Sequence, residues 1–262
     1  MRILEFIKSL IAPYFRIKES KKIDIKKLPS QGFFYPEEFE ISIRKATPES
    51  IEEYEKGYDP EDLGMILSKL KNIVSENIIM PSGYTFSHIK SIDVVFIFLE
   101  IVALTKKKPV QLEYYNDEIG VLDKIDFSER SFNYFEFDEE TMKGWIPEER
   151  CFLISGYKFT LPSIGVENSL TNYLISKSSD PDALRYNDYS YSFTYFLGNR
   201  EFVTFDEIDN LIEIFNSDLD DEETEKVESI VAAFQPLQRY SLVKNSRVIE
   251  MSSKINLQEI WK

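Results

Sequence analysis

Leu28-Pro29-Ser30-Gln31-Gly32-Phe33-Phe34-Tyr35-Pro36 is the stretch on which the fold turns. Two prolines and a glycine fix an extended, turn-containing segment, and three consecutive aromatics give it a large anchoring area. Directly after it, Phe39, Ile41 and Ile43 alternate with Glu40, Ser42 and Arg44, the period-2 pattern of a half-buried strand. Thr47-Pro48-Glu49-Ser50-Ile51 then reads as N-cap, N1 proline and first helical turn. Strand, cap and helix in that order make a first module.

Working outward, apolar residues recur at helical spacing over Pro60 to Val74 (Leu63, Ile66, Leu67, Leu70, Ile73) and over Ser91 to Leu104 (Ile92, Val95, Phe96, Leu99, Val102, Ala103). Within the second of these, Asp93 and Glu100 are expected to face solvent, as isolated charges usually do. Ile78 to Ser87, with its Pro-Ser-Gly, reads as loop. Val110, Leu112 and Tyr114 alternate, pass a polar turn at Asn116-Asp117-Glu118 and return through Ile119, Val121, Leu122 and Ile125, which predicts a β-hairpin.

A second module starts near Gly144. Phe152 to Leu161 reads as two short strands around Ser155-Gly156, and Pro162-Ser163 leads through Asn168 into a helix over Ser169 to Ser176. Both modules run from an Ile/Phe-rich strand through a proline-serine cap into an acidic helix, a degenerate quasi-repeat. Further on, Thr204-Phe205-Asp206-Glu207 is a capping box opening a helix to Phe215, and Ser217 to Glu223 opens another. Tyr240 to Val243 and Val248 to Met251 read as a terminal hairpin, followed by a short element holding Ile255, Leu257 and Ile260. The sequence therefore predicts an α+β fold of two small strand-helix modules, residues 28–143 and 144–262, with β-hairpins and a helical C-terminal insertion.

Residues 1–27 stand apart. Ile3, Leu4, Ile7, Leu10, Ile11 and Tyr14 share one face of a short amphipathic helix that ends near Pro13, and a Lys-rich link from Lys18 to Lys27 separates it from the first module. That face suits either a core or a partner. The segment carries eight Lys or Arg against three acidic residues, so it is +5 while the rest of the chain is −20, out of a net −15. A basic arm on an acidic body suits electrostatic docking, and a solvated leader is the plain alternative. Glu5 and Lys8 interrupt its apolar run and no small-residue cleavage site follows, so it does not read as a secretory signal. Tyr186 to Leu197 is dense in aromatics, with Tyr189, Tyr191 and Tyr195 among them, and reads as interface or core.

The chemistry-bearing residues are sparse. One histidine, His88, sits in a loop with no nucleophile elbow beside it, and one cysteine, Cys151, opens a strand between Arg150 and Phe152. No Cys/His spacing suits zinc, and a single cysteine fits a reducing compartment. The acidic run from Asp218 lacks the mid-loop glycine of a calcium-binding loop and continues into helical spacing. Nine glycines include no phosphate-cradling motif, and the net charge opposes nucleic acid. No run of about 18 apolar residues offers a membrane span. No catalytic, cofactor-binding or metal-binding residue is indicated, which points to protein binding. With 46 Asp and Glu, a carboxylate pair about 5 to 10 Å apart, as glycan hydrolysis needs, stays an alternative, as does a generic intracellular adaptor.

Leu28-Pro-Ser-Gln-Gly-Phe-Phe-Tyr-Pro36, followed by Ile41-Ser-Ile-Arg-Lys-Ala-Thr47 and an acidic helix, resembles the baseplate hub proteins of T4-like bacteriophages. That family shows Leu-Pro-Ser-x-Gly-x-x-Tyr-Pro, a strand ending Ile/Val-Arg-x-x-Thr, then an acidic helix. Ser91-Ile-Asp93 opening an apolar helix, a hairpin from Val110 to Phe127 and a second Leu161-Pro-Ser start follow in similar order, so the resemblance covers about residues 28 to 175. Many members carry Cys-x-x-Cys in the hairpin region, where this chain has Tyr114-Tyr115-Asn116-Asp117, so a zinc-stabilised knuckle is not implied here. The resemblance implies a structural subunit or assembly chaperone of a tail hub, present in the host cytoplasm during assembly and, as a subunit, in the tail baseplate of the virion. Its partners would be other tail or hub proteins, tape-measure segments included. Ile3, Leu4, Ile7, Leu10 and Ile11, Phe33, Phe34 and Tyr35, and Tyr189, Tyr191 and Tyr195 are the expected partner contacts.

Overall fold

The computed structural model describes residues 20–56, 63–116, 120–127, 132–133, 136–137, 139–154, 157–177, 201–217, 222, 225, 241–244, 247–250 and 258–261. Helices and antiparallel sheets mix along the chain, an α+β fold with hairpins, as the sequence predicts.

The first core is built around one helix. α3 (Val94–Lys106) is buried from Phe96 through Val102, which suits a segment apolar on nearly every side. Four elements cover it. One is the sheet β1 (Lys21–Ile23), β2 (Ile41–Ile43) and β3 (Ile78–Ile79), with β2 in the centre and Ile41 and Ile43 fully buried. Helices α1 (Pro48–Glu55) and α2 (Leu63–Asn77) and the hairpin β4 (Val110–Asn116)–β5 (Val121–Phe127) supply the others. Thr47 caps α1 by accepting from the Ser50 N–H, with Pro48 at the first helical position. The hairpin pairs Val110 with Phe127 through Asn116 with Val121, which turns Val110, Leu112, Ile125 and Phe127 inward. Near the chain's end, Ile260 is buried, and Trp261 stands edge-on to Tyr54 and Phe98. Each large apolar side chain so buried stabilises by roughly 1.5–3 kcal/mol, which makes α3 the chief contributor.

Three expectations fail here, each because a distant partner decides. The Lys-rich link is not a link over its last part: Lys21, Lys22 and Ile23 pair with Ile43, Ser42 and Ile41, and Asp24 caps a 3-10 turn over Ile25–Lys27. Asp93 and Glu100 do not face solvent; they are 0% and 4% exposed. Glu100 receives Lys21 Nζ at 2.5 Å, a salt bridge from β1 onto α3. Ile78 and Ile79 leave the predicted loop to form β3, taking register from Ile43 and Ser42.

Beyond the hairpin, α4 (Glu139–Lys143) leads into the meander β7 (Trp145–Ile146), β8 (Cys151–Ile154) and β9 (Tyr157–Phe159). Gly144 joins them because a Cβ there would lie 2.4 Å from the Leu153 carbonyl oxygen. The rings of Trp145 and Phe152 pack on Phe34 at 5.7 and 5.9 Å, so aromatic packing runs across the boundary drawn at residue 144. α5 (Ile164–Lys177) starts five residues ahead of its predicted onset, capped by the Ser163 hydroxyl, which accepts the Val166 N–H. It shares a second core with α6 (Phe205–Ser217): Val166, Leu170, Tyr173, Val203, Ile208 and Ile212. The predicted capping box is present, Thr204 and Glu207 exchanging side-chain and backbone hydrogen bonds. β6 (Phe132–Asn133) joins the terminal hairpin β10 (Ser241–Lys244)–β11 (Arg247–Glu250) in a third three-stranded sheet.

Candidate functional site

The densest chemistry in the described molecule is a buried polar cluster assembled from three segments far apart in sequence. Asp93 comes from the 3-10 turn Ser91–Asp93 that precedes α3. Its Oδ1 accepts the Ser30 N–H at 2.8 Å and its Oδ2 accepts the Tyr35 hydroxyl at 2.7 Å. The same hydroxyl accepts the Lys90 N–H at 2.9 Å. Lys90 Nζ donates to the Leu161 carbonyl at 2.6 Å and to Thr160 Oγ1 at 3.3 Å, and lies 5.4 Å from the centre of the Phe34 ring. Backbone bonds from Ser91 N–H to Pro162 O and from Ile164 N–H to Ile89 O close the arrangement.

The turn that presents Ser30 and Tyr35 needs its sequence. Gln31 and Gly32 both take positive φ, 55° and 75°, and a Cβ on Gly32 would meet Ile25 at 3.4 Å. Glycine is therefore the residue that fits that position.

Burial sets the electrostatics. Both charged side chains are sealed from water, which penalises their ionised forms. Desolvation lowers Lys90 from 10.5 to about 7, against a smaller opposing pull from Asp93. It raises Asp93 from 3.8 to about 6, offset in part by the hydrogen bonds from Tyr35 and Ser30 and by the Lys90 charge. A perturbed acid is what a carboxylate hydrolase would require. Asp93, however, is 0% exposed and both its oxygens are occupied by the chain's own donors, so in this conformation it braces the fold and meets no substrate.

Other groups are similarly engaged. His88 Nδ1 accepts the Thr85 N–H, completing a one-turn capping box. Burial, with Glu149 beside it, pushes the Cys151 thiol up, away from the reactive thiolate. A cleft of about 600 Å³ is lined by Arg44 to Ser50 with Glu76 and Asn77. Its polar side chains are engaged within the lining: Arg44 donates to the Glu76 backbone carbonyl and Ser50 to the Glu76 carboxylate. Among the described residues no group of three or more His, Cys, Asp or Glu is placed to hold a metal, and no helix is long and apolar enough to cross a membrane.

Of the partner contacts expected from sequence, Phe34 and Tyr35 are buried at 1% and 4% exposure, and Phe33 is half-buried between Trp145 and Phe137. The core takes up these rings, and the first two offer no surface. Ile3, Leu4, Ile7, Leu10 and Ile11, and Tyr189, Tyr191 and Tyr195, lie outside the described residues. The most exposed large apolar groups among the described residues are others: Leu122 on the hairpin, and Ile175 and Phe202 on the α5–α6 unit. Sequence reading missed Ser30, Lys90, Thr160 and Leu161 as one site because only the fold brings them together. Compared with protein-family models, with curated proteins and with solved structures, the chain has no match in any of the three.

Proposed function

We propose that this chain works without catalysis, by binding other proteins, as a component or assembly factor of the baseplate hub of a contractile phage tail. The observation that carries this reading is the convergence of the resembling segments. Leu28-Pro29-Ser30 with Tyr35, Ser91 to Asp93, and Leu161-Pro162-Ser163 are three of the pieces on which the likeness to T4-like hub proteins rests, beside the Ile41–Thr47 strand with its acidic helix and the Val110–Phe127 hairpin, and these three meet in one buried hydrogen-bonded cluster. Segments that share one buried cluster are constrained together, so their ordered recurrence is better support than a lone Pro-Ser-x-Gly turn.

Charge supports the binding mode. Ahead of β1, residues 1–19 carry Arg2, Lys8, Arg16 and Lys18 against Glu5 and Glu19, a modest excess of positive charge facing an acidic chain, and the helical spacing of Ile3, Leu4, Ile7, Leu10 and Ile11 predicts an apolar face suited to a partner's groove. Ile175, Phe202 and Leu122, each about two-thirds exposed, add apolar contact area on the body. The partners are hub proteins or tape-measure segments, met in the host cytoplasm during assembly.

The test is to tag the chain in infected cells and identify what co-purifies from assembly intermediates and from finished particles. Tail proteins in both fractions make it a hub subunit, and tail proteins in intermediates alone make it a chaperone. Tail proteins in neither overturn the proposal.

A further inference from the structure

The backbone seam between residues 89–91 and 162–164 is a single antiparallel bridge, Lys90 to Ser163, carried by the Ser91 N–H to Pro162 O bond at 3.1 Å and the Ile164 N–H to Ile89 O bond at 2.8 Å. A bridge of two bonds has little stability of its own, so the buried side chains of Ile89 and Ile164 and the side chain it encloses decide how tightly it closes, and only the last of these titrates. That side chain is the Lys90 amine, 0% exposed, held by a carbonyl and a hydroxyl from the opposite segment and set over the Phe34 ring.

We propose that Lys90 makes this seam a proton-linked joint, which opens locally and takes up a proton as the amine reaches water, while the core around α3 stays folded. Closing strips the amine of water and returns a neutral hydroxyl, a carbonyl and a ring face, so the closed joint prefers the unprotonated amine. The groups facing Lys90 are few. Asp93 lies on its own turn, Tyr35 comes from the 28–36 segment, and the 160–164 segment presents the neutral Thr160 hydroxyl and the Leu161 carbonyl. The donors to Asp93, Ser30 and Tyr35, lie outside the 160–164 segment, and its carboxyl, raised to about 6, titrates below the pH 7 to 9 window, so a change within that window belongs to Lys90.

The sign follows. A lysine whose closed-state pKa lies below its free value holds the joint tightest at high pH, and the joint loosens as pH falls from about 10.5 to about 7, with no further change below. Amide exchange of the full chain, followed residue by residue at pH 7, 8 and 9 and expressed as protection relative to the free amide, reads this directly. Protection of Ser91 and Ile164 should rise by up to about tenfold per pH unit and stay at least about tenfold below that of Ile97 and Phe98 in α3. Lys90→Met, which keeps the stem, and Lys90→Arg, which keeps the charge at every pH, should both abolish the rise. Seam protection equal to that of α3, no rise in the wild-type chain, or a rise that survives either substitution would overturn the proposal. Should neither variant fold, the wild-type contrast between seam and core still decides.

Discussion

Tyr35 places one hydroxyl between two buried ionisable residues, donating to Asp93 Oδ2 at 2.7 Å and accepting the Lys90 N–H at 2.9 Å. Removing that oxygen leaves an acceptor and a donor without partners in a dry site, at a cost of about 1–3 kcal/mol.

Tyr35→Phe should therefore destabilise in a pH-dependent way. Asp93 has a raised folded-state pKa, so its contribution is fully present below its free value of 3.8 and is lost as pH rises through about 6. The Tyr35 hydrogen bond restrains that rise, so deleting it raises the carboxyl further. Urea unfolding should show a loss near 1 kcal/mol at pH 4.5 and a larger one at pH 8. Equal losses at the two pH values would mean that Tyr35 does not hold the charged form.

Lys21→Ala should leave Glu100, 4% exposed, in the core with no cation beside it. Lys21 itself is 42% exposed on its side chain, so water screens part of the pair, and the expected loss is about 1–3 kcal/mol rather than the larger figure for a wholly buried pair. Lys21→Ala with Glu100→Leu should recover most of it, since an apolar residue suits a helix buried on this face. Thermal unfolding of the two variants measures both steps.

Gly144→Ala should cost roughly 1–3 kcal/mol, because the new methyl would meet the Leu153 carbonyl, a backbone atom that also belongs to the meander. The damage should centre on residues 145–159, and near-ultraviolet circular dichroism, which sees Trp145, should change while the α3 core keeps its signal.

Lys69 Nζ donates to the carbonyls of Glu53 and Tyr54 and to that of Lys56, closing the C-terminal end of α1. Lys69→Met keeps the stem and removes the donors and the charge that favours a helix C-terminus. A loss of about 1 kcal/mol in denaturant unfolding is expected.

Legibility in the sequence followed the range of the interaction that decides each element. Strand alternation over Val110 to Ile125, the Thr47 cap and the Thr204–Glu207 box are local signals, and the structure has all three where predicted. Residues 20–27, Asp93 and Glu100 were misplaced because their burial depends on partners such as Ile41, Ser30 and Lys21, which no local period reveals. α5 begins early for a similar reason: Ile164 and Val166 are drawn into two different cores, which extends the helix past the glycine that blurs its pattern. Of the candidate site, sequence singled out the Leu-Pro-Ser segments and Ser91-Ile-Asp93 separately. Lys90, which ties them together, carried no local signal.

In the function proposed for this chain, tail proteins are its partners and the N-terminal arm is the docking element. The most direct measurement is parallel capture, from infected cells, of the tagged full chain and of a chain lacking residues 1–19, which leaves β1 intact from Lys21. Tail hub proteins are expected with the full chain and should be lost with the shortened one, at unchanged melting temperature. Hub proteins captured equally by both chains would show that the arm is not the docking element, and their absence from both captures would mean that this chain does not bind tail proteins.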